Sequence, residues 1–152
     1  MTNEEVAVPY VRRAAVSDAA QIARLAAQFG YAIPELDVRR GLEALGTMPA
    51  QYVAVAQGSR DSIGGWIQAH RTLVLTAGER VEITGLVVDA AVRRRGIGAL
   101  LVEAVQQWTR TQGVAQIIVR SNVQRDSSHL FYQALGYSRS KTQHVYAKTL
   151  LG

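Results

Sequence analysis

The stretch Arg93-Arg94-Arg95-Gly96-Ile97-Gly98-Ala99 places three cations where a helix tolerates them least. Ile97, Leu100, Leu101, Ala104, Val105 and Trp108 follow at i, i+3, i+4, i+7, i+8 and i+11, which predicts an amphipathic helix. The arginines and glycines therefore stand at its N-terminus. That end carries the positive pole of the macrodipole and backbone N–H groups without intrahelical partners, so each nearby cation is disfavoured by roughly 0.3–1 kcal/mol. No acid follows until Glu103. A bound anion reverses the sign: phosphate oxygens accept the amides and pair with guanidinium groups, and glycine lets the backbone approach. A solvated basic turn with two incidental glycines is the plain alternative.

Two familiar phosphate loops are excluded. A Walker loop needs Gly-Lys-Ser/Thr, which is absent, and a dinucleotide fingerprint needs glycine where Leu101 stands and an acid about 20 residues on, where Gln116, Ile117 and Ile118 supply none. What remains is Arg-x-x-Gly-x-Gly after the strand-like Val81-Glu82-Ile83-Thr84-Gly85-Leu86-Val87-Val88-Asp89. This resembles the acetyl-CoA pyrophosphate loop of the GNAT family of N-acetyltransferases. Ser121-Asn122 after the strand-like run Val114 to Arg120, then His129-Leu130-Phe131-Tyr132-Gln133-Ala134-Leu135-Gly136-Tyr137, resemble the family's second signature segment. The likeness covers about the last 70 residues by motif and the first 80 by layout.

At 152 residues the chain suits a single domain spanning 1–152, long enough for one core without staples. It has no cysteine, which removes disulfides, thiolate metal sites and cysteine-based covalent catalysis; its three scattered histidines predict no metal site. The start lacks a signal-peptide pattern and no run matches a membrane span, so a cytoplasmic protein without a membrane partner is expected. The net charge of +5 and a pI near 10.0 also suit nucleic acid. That reading is the lesser one, because no recognition helix, zinc finger or paired stacking aromatics accompany the single dense cationic cluster.

Strand-like Val8 to Val16 opens the chain, Ser17 is the expected N-cap of a helix through Ile22, Leu25, Ala26 and Phe29, and Gly30 ends it. Val38, Leu42 and Leu45 mark a second helix closed by Gly46. Tyr52 to Gln57 and Ile63 to Leu75 read as strands, and Thr76 to Glu79 turns the chain into the fourth. After the large helix come a fifth strand, a helix and one or two closing strands from Tyr137 to Leu150. This order predicts an α+β fold with a mixed sheet. The resemblance implies a GNAT-like α/β/α sandwich, mostly antiparallel, splayed between strands 4 and 5 where the cofactor enters. Gly85 within the fourth strand suggests a bulge or a close approach.

Acetyl transfer to an amine poses two proton problems: an ammonium with a pKa near 10.4 must lose one, and a departing thiolate whose thiol has a pKa of about 8.5 must gain one. By resemblance Glu82 is the candidate base, directly or through water, and Tyr132 the candidate acid. A carboxylate among Val81, Ile83 and Leu86 can be partly desolvated; an exposed strand carboxylate, or a partner for Arg80 or Arg71, is the plain alternative. In the last helix Leu130, Phe131, Ala134 and Leu135 make the expected apolar face, leaving Tyr132 turned aside, with Tyr137 and Phe131 assigned to packing. An amphipathic tyrosine at a core's edge is its plain alternative.

The same resemblance implies that the backbone of Leu86, Val87 and Val88 pairs with pantetheine like an added strand. It places Arg93, Arg94, Arg95, Gly96, Ile97, Gly98 and Ala99 around the pyrophosphate, and Asn122 on the pantetheine arm. Acetyl-CoA is thus the expected donor, with no metal. Tyr31, Glu35, Asp37, Trp66, His70 and His144 are candidates for the acceptor pocket. An aminoglycoside, a polyamine and a peptide amine are all open as acceptor, and a homodimer is a further expected assembly. A sensor that binds acetyl-CoA without turnover is the alternative function.

Overall fold

Apolar side chains drive the central strands: Tyr52 to Ala56 is a continuous apolar run, and Ile63, Gly65, Ile67 and Ala69 are buried in alternation with less buried neighbours. In the computed structural model β1 (Tyr10–Arg13), β2 (Gln51–Gln57), β3 (Ile63–Val74), β4 (Gly78–Val88) and β5 (Ile117–Val119) form a sheet in that spatial order. The first four pair antiparallel and β5 runs parallel to β4. The structure describes residues 8–121 and 125–152, which fall into two compact units, Met1–Val119 and Arg120–Gly152. The sheet lies in the first. The expected mixed, mostly antiparallel sheet is therefore present.

Helices cover both faces of the sheet. α3 (Ile97–Thr111) packs on the face carrying Ala54, Ile67, Ala69, Val81 and Ile83, with Tyr52 stacked on Trp108 at 5.1 Å. Its buried stripe is Ile97, Leu101, Val102, Val105, Trp108 and Thr109, rotated slightly from the expected one, because Leu100 and Ala104 are only half-buried. On the opposite face α1 (Ala19–Ala27) supplies Ile22 and Leu25 against Val55, Ile63, Val87 and Trp66, and α2 (Glu35–Leu45) adds Val38 and Leu42. Each fully buried leucine contributes about 1.5–3 kcal/mol relative to exposure.

Bulges in β3 and β4 adjust the faces. Gln57 pairs with Ile63 but Ala56 with Gly65, leaving Gly64 as the extra residue. A Cβ on Gly64 would stand 2.7 Å from Ile97 Cδ1, and one on Gly65 2.7 Å from the Val87 carbonyl oxygen. The glycine pair lets the start of α3 reach the sheet. Gly85 satisfies both expectations: the register shifts beside it, with Gln68 opposite Gly85 and Ala69 opposite Ile83, and its missing Cβ makes room for the Trp66 ring at 2.8 Å.

Several expected boundaries move. β1 is shorter than Val8 to Val16, and Ser17 is not a cap but lies inside a single 3-10 turn, Val16–Asp18. Asp18 takes that position, its carboxylate accepting from the Ala15 N–H at 2.7 Å and from Arg12 rather than from an amide of α1. β5 is three residues long. In the second unit α4 spans Asp126–Ala134, and no strand forms between Tyr137 and Leu150. That segment carries Arg139, Lys141, His144 and Lys148 between its apolar residues, and Val145, Tyr146 and Leu150 are exposed, so no apolar face is buried to fix a strand register.

Candidate active site

β4 joins both halves of the candidate machinery on one strand. Its ladder to β5 covers only Val81, Glu82 and Ile83, opposite Ile117, Ile118 and Val119, whereas pairing with β3 continues to Val88. Leu86, Val87 and Val88 thus run past the end of the β4–β5 ladder. Asp89 then caps a 3-10 turn, Ala90–Val92, accepting from the Ala91 N–H at 3.0 Å and from Gln28 Nε2 at 3.1 Å, while Gln28 Oε1 accepts from the Ala90 N–H at 2.9 Å. The Ala91 bond, then the Gln28 bond, hold the Asp89 carboxyl below the usual carboxylate range.

This clamp aims the chain into the arginine loop. Arg93, Arg94 and Arg95 are exposed, Arg93 lies 5.1 Å over the Phe29 ring, and Arg94 takes a left-handed φ of 65°. Such a conformation is strained for a residue with a Cβ. Gly96 is the N-cap of α3, also left-handed at φ 77°, and no side chain caps the helix. The amides of Ile97, Gly98 and Ala99 therefore open the helix without a capping side chain; Ile97 itself points into the core and offers the site only its backbone. Unsatisfied amides, a positive pole and three guanidinium groups suit a pyrophosphate. The residues present thus fit the diphosphate of acetyl-CoA.

Glu82 sits on the α1/α2 face of the sheet, directly between His70 on β3 and Ile118 on β5. Its Oε2 lies 3.7 Å from His70 Nε2, with side chains 17% and 28% exposed. Neither Arg80 nor Arg71 stands opposite Glu82: Arg80 faces Thr72, and Arg71 faces Val81 and donates to Gln112 Oε1 at 3.3 Å. His70 in turn stands opposite Gln51 on β2. One polar row, Gln51, His70 and Glu82, thus crosses three strands. A cavity of about 420 Å³ beside the end of α2 has Gln51, Leu42, Met48 and Val53 in its wall.

Of the other acceptor candidates, Trp66 shares this face and lies on Gly85, while Tyr31, Glu35 and Asp37 are exposed, Glu35 pairing with Arg39 at 3.1 Å. In the second unit Tyr132 is not turned aside as expected. It packs edge-on against Phe131 at 5.0 Å and Tyr137 at 5.8 Å, while Leu130 and Ala134 of the anticipated apolar face are exposed. Burial, then Tyr137, push its phenol up to about 12. His144 lies beside Tyr146 in this unit. Asn122 lies outside the described residues. Gln28 and Asp89 were missed in the sequence, although Asp before Ala-Ala-Val carries the N-cap signal that would have found one of them.

The acetyltransferase (GNAT) family model matches residues 17–137. The chain belongs to the GNAT family of acetyltransferases. The uncharacterized N-acetyltransferase YhdJ of Bacillus subtilis (strain 168) is 28% identical over 100 residues, spanning 64% of this chain and 70% of the relative. The aminoglycoside N-acetyltransferase AAC(6')-Iy, in complex with CoA, matches with a TM-score of 0.85 at 18% identity, covering 97% of this chain and 99% of that one. A transcriptional regulator from Bacillus halodurans C-125 matches with a TM-score of 0.83 at 23% identity, covering 93% and 100%. At these identities the two structures establish the GNAT fold.

Proposed function

We propose that this GNAT chain transfers the acetyl group of acetyl-CoA directly to a primary amine of a small molecule, aminoglycoside- or polyamine-like, or of a peptide. The observation that carries this reading is the layout of β4. The strand sets the Glu82 carboxylate in its paired half, backbone beyond the β5 ladder in its other half, and the arginine loop at its end. The continuous family match from 17 to 137 supports treating residues 1–152 as one domain, and the CoA-bound aminoglycoside enzyme supports a small amine as acceptor.

Acetyl-CoA supplies the acyl group as a thioester. Arg93, Arg94 and Arg95 with the amides of Gly96 to Ala99 would hold its diphosphate, Leu86 to Val88 would pair with its pantetheine amides, and Asn122 would reach the same arm. Glu82 takes the ammonium proton, directly or through water, so that the nitrogen lone pair can form the new N–C bond. As the C–S bond breaks, Tyr132 donates its phenolic proton to the sulfur. With its pKa pushed up to about 12, that phenol stays protonated throughout the neutral range. The absence of cysteine makes transfer within one ternary complex the simplest route.

The test is a panel of amines, namely an aminoglycoside, spermidine and a peptide with a free α-amine, followed by release of free thiol. Turnover with intersecting initial-rate lines is expected. Tight CoA binding without turnover on any amine would replace this reading with the sensor, and parallel lines would demand a covalent intermediate. Tyr132→Phe should slow the chemical step without weakening CoA binding, and unchanged turnover would remove Tyr132 from the mechanism.

A further inference from the structure

His70 belongs to no assigned role, yet its surroundings are specific. It stands directly opposite Glu82 in the antiparallel β3–β4 pair, where cross-strand Cβ atoms are about 4.5–5.5 Å apart. Its Nε2 approaches Glu82 Oε2 at 3.7 Å, an ion-pair distance that is longer than a hydrogen bond. Among the described residues Glu82 is the one ionisable partner recorded for His70. On the other side is Gln51, whose Oε1 is buried and has no hydrogen-bond partner among the described residues. Two positions along β3 on the same face, Trp66 Nε1 is buried and equally unpartnered.

Buried polar atoms in folded proteins are almost always satisfied, so two orphans on the sheet face that carries the Glu82 carboxylate and the His70 imidazole call for an explanation. The His70–Glu82 contact is longer than a hydrogen bond. Catalytic hydrogen bonds are often long before substrate arrives and tighten when it does. The imidazole approaches one carboxyl oxygen from the β3 side.

We propose that His70 is a positioning residue for acetyl transfer: through Nε2 to Glu82 Oε2 it orients the carboxylate that takes the ammonium proton. The inference rests on the assignment of Glu82 as base. It requires no proton to leave His70 and no group beyond those of the proposed reaction. Its consequence is energetic coupling: His70 matters to turnover only while Glu82 is a carboxylate.

The test is a double-mutant cycle with His70→Ala, His70→Gln, Glu82→Gln and His70→Ala/Glu82→Gln, measured with the best acceptor of the amine panel. His70→Ala should lower kcat about 10-fold with KM for acetyl-CoA within about twofold, and His70→Gln, whose amide can still donate to the carboxylate, should recover most of the loss. In the Glu82→Gln background, His70→Ala should add less than about twofold. The same factor in both backgrounds, an unchanged kcat in His70→Ala, or no rescue by Gln would overturn the inference and leave the base assignment standing. Wild-type rates in Glu82→Gln, or no turnover by the wild type with any of the amines, would remove the base assignment and this inference together. A ¹⁵N spectrum of the imidazole nitrogens gives a readout without turnover: Glu82→Gln should move His70 and leave His129 and His144 in place. An unmoved His70 would also overturn it.

Discussion

Two carboxylates on the first unit, Asp18 and Glu82, each meet a nitrogen side chain, and the two contacts differ in how far they are satisfied. Arg12 grips Asp18 with two bonds of 2.8 Å, the same carboxylate accepts from the Ala15 N–H, and Arg12 reaches on to Gln57 Oε1 at 2.9 Å. Gln57 then donates to the Arg60 carbonyl at 2.7 Å, tying β1, the first helical turn and the β2–β3 turn together. His70 and Glu82 stand 3.7 Å apart on the sheet face that also carries Gln51 Oε1 and Trp66 Nε1, buried and without a hydrogen-bond partner among the described residues. Arg12, before desolvation, holds the Asp18 carboxyl below the usual carboxylate range. The first pair is saturated and ties elements of the fold together; the second shares its sheet face with buried polar atoms that have no partner among the described residues.

The sharpest way to break this contrast is to remove one carboxylate from each pair. Glu82→Gln keeps size and shape but abolishes basicity, so kcat should fall by about 10²–10⁴-fold while the melting temperature and CoA affinity stay close to wild type. Thiol-release kinetics, a thermal melt and CoA titration by calorimetry make the three comparisons. A large loss of stability in this variant would show the pair to be structural after all.

Asp18→Asn should do the reverse, costing about 2–4 kcal/mol of stability because a half-buried guanidinium loses its counter-charge, with kcat in the surviving folded protein little changed. Urea unfolding measures it. The pH dependence follows from the lowered folded-state pKa of Asp18: its contribution is present above the ordinary carboxylate value of 3.8 and is lost as pH falls through the folded value. The wild type should therefore lose part of its acid stability advantage over Asp18→Asn below that point.

This difference also separates what could be read in the sequence from what could not. The arginine loop, the helix after it and the strand before it, with Glu82 on that strand, were legible, because period and glycine spacing are local signals. The pairing of His70 with Glu82 and of Arg12 with Asp18 was not, since both depend on strand register and turn geometry that no local pattern reports. Ser17 and Asp18 are equal caps by propensity, and Asp18 stands at the N-cap with its carboxylate held by Arg12 of β1 and by the Ala15 N–H. The closing strands were read from layout alone, and the charged residues between Tyr137 and Leu150 leave no face to bury.

Packing offers a third probe on the satisfied side. Gly65→Ala puts a Cβ 2.7 Å from the Val87 carbonyl oxygen and 3.1 Å from Leu101 Cδ1, and the backbone oxygen cannot swing away as a side chain would. We expect a stability loss of about 1–3 kcal/mol in urea unfolding. Because Val87 lies in the segment proposed to pair with pantetheine, CoA affinity should weaken as well. Unchanged affinity beside a clear stability loss would separate that segment from the cofactor.

The smallest expected effect has the opposite sign. Arg94 combines a left-handed φ of 65° with a cation beside the positive pole of α3, so the free protein is opposed there by backbone strain and by electrostatics. Arg94→Gly relieves both. Against that gain stands the greater unfolded-state entropy of glycine, roughly 0.5–1 kcal/mol, which leaves a net stabilisation of about 0.5–1 kcal/mol without ligand. With CoA present the order should invert, since the wild type regains an arginine–phosphate pair that the variant lacks. Thermal melts of both proteins across a CoA titration would show the curves crossing. If the variant is instead less stable without ligand, Arg94 holds the loop as Arg12 holds Asp18, and the loop moves to the satisfied side of the comparison.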